Sequence, residues 1–248
     1  MIRAGLIALG LSLATPLPLH AQAEEQCRLA LLLGMDVSAS VDEAEYSLQI
    51  NGLISALLSP EVQNGFLNGP GPVAFAVYEW SGRFQQDMLV NWTMIRTQED
   101  LVNVTEQIAR ATRQHADFPT ALGYAIGFAA ERFAEAPPCL FQTLDISGDG
   151  QNNDGFPPEA AYEHFALNGV TVNGLAIGGA SREIELYYES EVIRGPGAFV
   201  EHALNHDHFE EVMRRKLERE LRVMILGSLE PEPSPASSAR NLNPAENR

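Results

Sequence analysis

Arg28-Leu29-Ala30-Leu31-Leu32-Leu33-Gly34-Met35 runs straight into Asp36-Val37-Ser38-Ala39-Ser40. The first stretch is almost wholly apolar, and it stops at a carboxylate. A strand wetted on one face alternates apolar and polar residues. An unbroken apolar run is expected of a strand covered on both faces, as in a parallel sheet. Carboxylate and hydroxyl side chains then crowd the point where that strand ends.

The rest of the chain repeats the theme. Residues 42–58 predict a helix with Tyr46, Ile50, Leu53, Ile54 and Leu57 on one face. Gly69-Pro70-Gly71-Pro72 is a turn. Residues 73–80 and 88–95 read as two strands with a short connection, hence a hairpin. Helices are expected over 97–112 and 120–133, the second entered through Pro119 and rich in Ala and Gly for close packing. Residues 139–146 are another buried strand, ending in Ser147-Gly148-Asp149-Gly150. A helix over 157–167, a strand over 170–177, a helix over 181–190, a last strand over 198–203 and an amphipathic helix over 209–225 follow. Strands that alternate with helices define an α/β fold with a doubly wound, mostly parallel central sheet. One strand is antiparallel, and helices cover both faces.

The ends of the chain read differently. Arg3, an apolar run from Ala4 to Ala14 and Ala21-Gln22-Ala23 have the form of a signal peptide cleaved near Ala23, so residues 1–23 are excluded from the fold. The expected destination is the periplasm or the exterior. Residues 24–228 form the domain, and 229–248 a Pro/Ser/Asn-rich tail expected to be disordered. The apolar run is too short for a permanent span, so no transmembrane segment is expected after cleavage. Loss of residues 1–23 takes the formal charge from −17 to −18. Such a surface repels nucleic acid and anionic lipid.

In an open α/β sheet, ligands sit beyond the carboxyl ends of the strands, where strand order reverses. A dinucleotide site would place glycines after the first strand. This chain places Asp36, Ser38 and Ser40 there, and a carboxylate repels phosphate. Asp149 ends another strand and Thr120 opens a helix. Together they supply hard oxygens with two formal charges, a set suited to Mg²⁺, Mn²⁺ or Ca²⁺. Each piece also has a plainer reading. Ser40 with Glu43 forms a helix capping box, Thr120 is a helix-start hydroxyl, and Asp149-Gly150 is a turn. Their common placement at one edge of the sheet favours the metal.

Asp36-x-Ser38-x-Ser40, then Thr120, then Ser147-Gly148-Asp149-Gly150 resembles the metal-ion-dependent adhesion site of von Willebrand factor A (vWA) domains. The resemblance covers residues 27–226. It is nearest to the uncharacterised secreted bacterial branch of that family, in which the Asp145-Ile146-Ser147-Gly148-Asp149-Gly150 run is followed by asparagines, here Asn152 and Asn153. The resemblance implies the Rossmann-like vWA fold. It implies direct metal binding by the two serines, and direct or water-mediated binding by Thr120 and the aspartates. A partner's acidic side chain commonly completes the sphere. One departure stands out. Many members carry glycines before the threonine, whereas this chain has Asp117-Phe118-Pro119, and the proline opposes a large ligand-driven rearrangement. The resemblance also places the strands that end at Asp36 and Asp149 side by side. Cys27 lies nine residues before Asp36 and Cys139 ten before Asp149. A Cys27–Cys139 disulfide at the far edge is therefore implied, in an oxidising compartment.

Other residues have weaker chemistry. Asp145 is either in contact with a metal ligand or hydrogen-bonded within the fold, and Asp117 is a second candidate for the first role. The segment from Asp145 is not an EF-hand, because Phe156 stands where a bidentate Glu is needed. His202, His206 and His208 read as a solvated turn rather than a zinc site. No nucleophile elbow, His-Glu-x-x-His or phosphate loop occurs. The function expected is a secreted, non-enzymatic interaction module whose Mg²⁺ (or Mn²⁺/Ca²⁺) grips an acidic group of a protein partner. The alternatives are a Mg²⁺-dependent hydrolase and a domain whose metal is purely structural.

Overall fold

Every residue of β1, Cys27–Asp36, is buried, as an apolar run requires of a central strand. In the computed structural model, which describes residues 25–227, β1 lies between β2 (Val73–Trp80) and β4 (Cys139–Gly148) and is parallel to both. β3 (Gln86–Ile95) is the antiparallel partner of β2, and β5 (Val170–Ile177) and β6 (Val200–Ala203) extend the other side in parallel. The order is β3-β2-β1-β4-β5-β6. The doubly wound, mostly parallel sheet is thus as expected. The expected signal peptide (1–23) and tail (229–248) lie outside the described residues.

Alternate side chains of β1 serve opposite layers. Leu29, Leu31, Leu33 and Met35 pack with α1 (Glu43–Leu58), α2 (Pro60–Leu67), α3 (Gln98–Ala109) and α7 (Phe209–Gly227). Ala30 and Leu32 join Leu144, Ile146, α4 (Leu122–Ala134) and α5 (Pro158–His164) on the other face. Among the described residues no helix is long and apolar enough to cross a membrane.

Three local expectations change. The cap of α1 is Asp42, whose carboxylate accepts from Glu45 N while Glu45 reaches back to Asp42 N. Ser40 is not the cap, so its hydroxyl is free for other work. α2 was not anticipated; Pro60 starts it and Ser59 caps it. The expected helix over 181–190 is α6 (Glu183–Tyr187) followed by a π-helical turn, Tyr188–Val192.

The polar interior is arranged with care. Lys216 on α7 is fully buried, 2.8 Å from Glu220 Oε1 and 2.7 Å from Asp145 Oδ1 on β4. The contact to Asp145 is an ion pair without hydrogen-bond alignment. Asn173 of β5 donates to Glu220 Oε1 at 2.7 Å. Burial pushes the Asp145 carboxyl up, against the pull of Lys216. At the base of the sheet Cys27 and Cys139 are register partners with Cα atoms 4.5 Å apart, and they form a disulfide.

Candidate metal centre

Strand order reverses across β1 and β4. The chain leaves β1 towards β2 on one side and later returns to build β4 on the other. Two connections therefore part at the carboxyl ends of these strands and leave a crevice there. Asp36 is the last residue of β1, Asp149 follows the last residue of β4, and Thr120 lies just ahead of α4.

The structure brings four of the five oxygen-bearing residues into one hydrogen-bonded chain. Ser40 Oγ donates to Asp149 Oδ1 at 2.6 Å. Ser38 Oγ lies 3.2 Å from Ser40 Oγ, and Thr120 Oγ1 donates to Ser38 Oγ at 3.2 Å. The fifth, Asp36, accepts from Ser38 N through Oδ1 at 2.8 Å. Its Oδ2 is buried and has no protein partner. Burial, and then the negative charge of Asp149, push the Asp36 carboxyl up to about 7. An orphaned buried carboxylate oxygen facing a second carboxylate, with three hydroxyls beside them, is a donor set short of a positive charge. A hard divalent cation fits it. Among the described residues no three His, Cys, Asp or Glu gather into a metal cluster; the set is hydroxyl-rich.

The surrounding loops are tied to one another. α4 has no side-chain cap of its own, and its first N–H groups need partners. Asn152 Oδ1 accepts from Gly123 N at 3.2 Å and Asn153 Oδ1 from Thr120 N at 2.9 Å. Asn153 N and Asp154 N donate in turn to Thr120 O. Asn153 therefore holds Thr120 in place, and Asn152 ties the first turn of α4. Asp154 forks Arg83 at 2.6–3.1 Å, fixing the β2–β3 turn beside the loop.

Residues missed in the sequence complete the floor. Tyr188 is fully buried, and its hydroxyl has no protein partner. Glycine is required at two points above it. A Cβ on Gly174 would stand 2.6 Å from Tyr188 Cδ1. One on Gly148 would stand 2.5 Å from Tyr188 Oη and 2.8 Å from Asp36 Oδ2. The tyrosine hydroxyl and the orphaned oxygen thus flank the same glycine. No periodicity marks Tyr188; its only sequence signal is the pair of glycines at strand positions.

The remaining candidates sit elsewhere. Asp145 engages Lys216 on the α7 side of the sheet. Asp117 is exposed on the loop before Thr120. The three histidines go separate ways: His202 Nε2 meets Gly178 O, His206 Nδ1 meets Glu45, and His208 Nδ1 meets Asn205. Beside α4, a cleft of about 270 Å³ is lined by Phe84, Tyr124, Phe156 and Phe165. Tyr124 and Phe156 stack at 4.1 Å, and Phe84 is 82% exposed.

Sheet order and helix placement are those of the vWA fold. The chain belongs to the family described as "Protein of unknown function (DUF1194)", whose model matches residues 26–225. No curated protein matches it. Among solved structures it is similar to proximal thread matrix protein 1 of the mussel byssus, with a TM-score of 0.58 and 16% identity over 78% of this chain and 48% of that one. Another crystal of that protein has a zinc-occupied MIDAS motif (TM-score 0.55, 15% identity, 80% and 47% covered). It is also similar to a von Willebrand factor type A protein from Catenulispora acidiphila (0.57, 15%, 79% and 43%). A third likeness is to the PilB minor pilin from Streptococcus sanguinis (0.56, 12%, 83% and 64%). The chain spans under half the length of the first of these structures. At such identities the likeness is one of fold.

Proposed function

We propose that this protein is an exported interaction module which binds one divalent cation through Asp36, Ser38, Ser40, Thr120 and Asp149 and offers it to an acidic side chain of a protein partner. The observation that supports the reading is the hydrogen-bonded chain of Thr120, Ser38, Ser40 and Asp149 beside Asp36, whose buried Oδ2 has no protein partner. With two carboxylates balancing a 2+ ion, the bound cation keeps the electrophilicity needed to attract a third. Asp36 and Asp149 supply the charge. Ser38, Ser40 and Thr120 supply neutral oxygens, and Asn153 orients Thr120. Mg²⁺ is the favoured ion, since a small, partly hydrated site suits it.

A zinc-occupied MIDAS in a protein of the same fold supports the metal, and a pilin of that fold supports a role in interaction. The expected signal peptide supports export to the periplasm or beyond.

Calorimetry should show one Mg²⁺ or Mn²⁺ site, lost in Asp36→Ala and Asp149→Ala. If both variants bind as the parent does, the assignment is wrong. Capture from envelope extract should require Mg²⁺, be reversed by chelator, and weaken when the partner's key Asp or Glu is amidated. Chelator-insensitive capture would mean that the partner uses another surface.

A further inference from the structure

One guanidinium nitrogen gathers three carbonyls of the turn that follows β1. Arg113 Nη2 lies 2.9 Å from Val37 O, 2.9 Å from Ser38 O and 2.6 Å from Val41 O, its two N–H groups shared among the three. Arg113 stands on the segment between α3 and α4, the same segment that ends in Thr120. Two further bonds tie the turn to its neighbours. Ala39 N donates to Phe118 O at 2.8 Å, and Val37 N donates to Trp80 O at 2.9 Å. The carbonyls of Val37 and Ser38 are thus engaged on Arg113, while the hydroxyls of Ser38 and Ser40 face Thr120 and Asp149.

We propose that Arg113 is the positioning residue of the metal centre. By holding three carbonyls on one nitrogen it fixes the turn so that both serine hydroxyls serve the ion, and it withholds those carbonyls as competing ligands. The inference rests on the metal reading above. Arg113 bonds to no carboxylate or hydroxyl of the donor set, so it acts through the backbone.

Charge alone argues in the opposite direction. A positive side chain near a cation site opposes metal binding by Coulomb repulsion. If Arg113 acted only through its charge, its removal would tighten the site. If it acts by geometry, removal weakens it. A plain structural role is also open to test. Arg113 lies 5.8 Å from the Tyr46 ring centre, and Tyr46 Oη donates to the buried Glu79 at 2.6 Å, so the guanidinium also offsets a buried carboxylate. That role needs the charge and not the reach to the three carbonyls.

Mg²⁺ titrations of the whole chain by calorimetry, paired with thermal unfolding in chelator, separate the three. Arg113→Gln is expected to weaken Mg²⁺ binding by about 10-fold or more, the range found when groups behind a metal ligand are removed. Arg113→Lys should weaken it too, because the lysine nitrogen stands one bond nearer the backbone than Nη2 and falls short of the three carbonyls. Unchanged or tighter binding in both variants, beside normal binding by the parent chain, overturns the inference. So does a lower melting temperature in chelator with unchanged Mg²⁺ affinity, which marks a structural role. If Arg113→Gln does not fold, Arg113→Lys carries the same distinction. No Mg²⁺ binding by the parent chain overturns the metal reading itself, and the inference with it.

Discussion

Asp36 is where burial and charge pull against folding. Its carboxyl rises from 3.8 to about 7 because it is buried and because Asp149 is near. Without metal, the folded chain therefore keeps a proton across that window which the unfolded chain has released. The contribution of this one group is fullest below about pH 4 and is lost as pH rises to about 7, the reverse of the usual carboxylate pattern. The shift corresponds to roughly 4 kcal/mol at most. In chelator, urea titrations at pH 5 and pH 7.5 should show the parent losing more stability than Asp36→Asn. The variant retains some slope because Asp145 is also raised. Adding Mg²⁺ at pH 7.5 should rescue the parent alone. Equal slopes would mean that Asp36 is not the strained group. The serine and the cap now separate cleanly. Asp42→Ala should cost about 1 kcal/mol in chelator and spare Mg²⁺ affinity. Ser40→Ala should weaken Mg²⁺ binding with little stability loss in chelator. Reversed results would restore Ser40 as the cap. The oxygens gathered at the β1/β4 crevice were legible in sequence because strand ends announce themselves as abrupt stops in apolar runs. Arg113 and Tyr188 were not, since each works through a contact far along the chain.

Elements were most legible where burial alone dictates pattern. β2 and β5 match their expected limits, and β4 continues two residues further, to Gly148. α2 escaped notice because Val62 and Phe66 are its only large buried side chains and Gly65 weakens its propensity. Its glycine is explained by packing: a Cβ there would stand 2.9 Å from Leu221 on α7. The π-helical turn was invisible for another reason. Its register is set by the need to seat Tyr188 beneath two strands. The glycines flanking Asp149 give a sharp contrast. Gly148→Ala should cost about 1–3 kcal/mol by overpacking and weaken Mg²⁺ binding, since its methyl would press on Asp36 and Tyr188. Gly150→Ala, whose nearest contact would be 3.5 Å away, should fall within about 0.5 kcal/mol of the parent. Thermal unfolding and Mg²⁺ titration of the pair check this, and equal damage at both would count against the seated tyrosine.

At the scale of the whole molecule, α7 is bound to the sheet by an ion cluster as well as by apolar contacts. Lys216 faces two acids in a dry interior, and losing the cation leaves both unbalanced. Lys216→Met should destabilise the fold by about 3–5 kcal/mol in denaturant titrations, and a loss under 1 kcal/mol would show that the acids are protonated without it. The disulfide has a consequence of a different kind. Cys27 and Cys139 join the feet of β1 and β4, while Asp36 and Asp149 stand at their heads. Arg28 Nη1 donates to Leu221 O at 3.4 Å, so α7 runs down to the same foot at which the described chain enters. A pull on the head, opposed at the amino-terminal side of Cys27, would load β1 along its length. The hydrogen-bond ladders on its two sides would then resist in shear, many bonds together, instead of opening one after another. The sulfur bridge would stop the two central strands from sliding past each other under that tension.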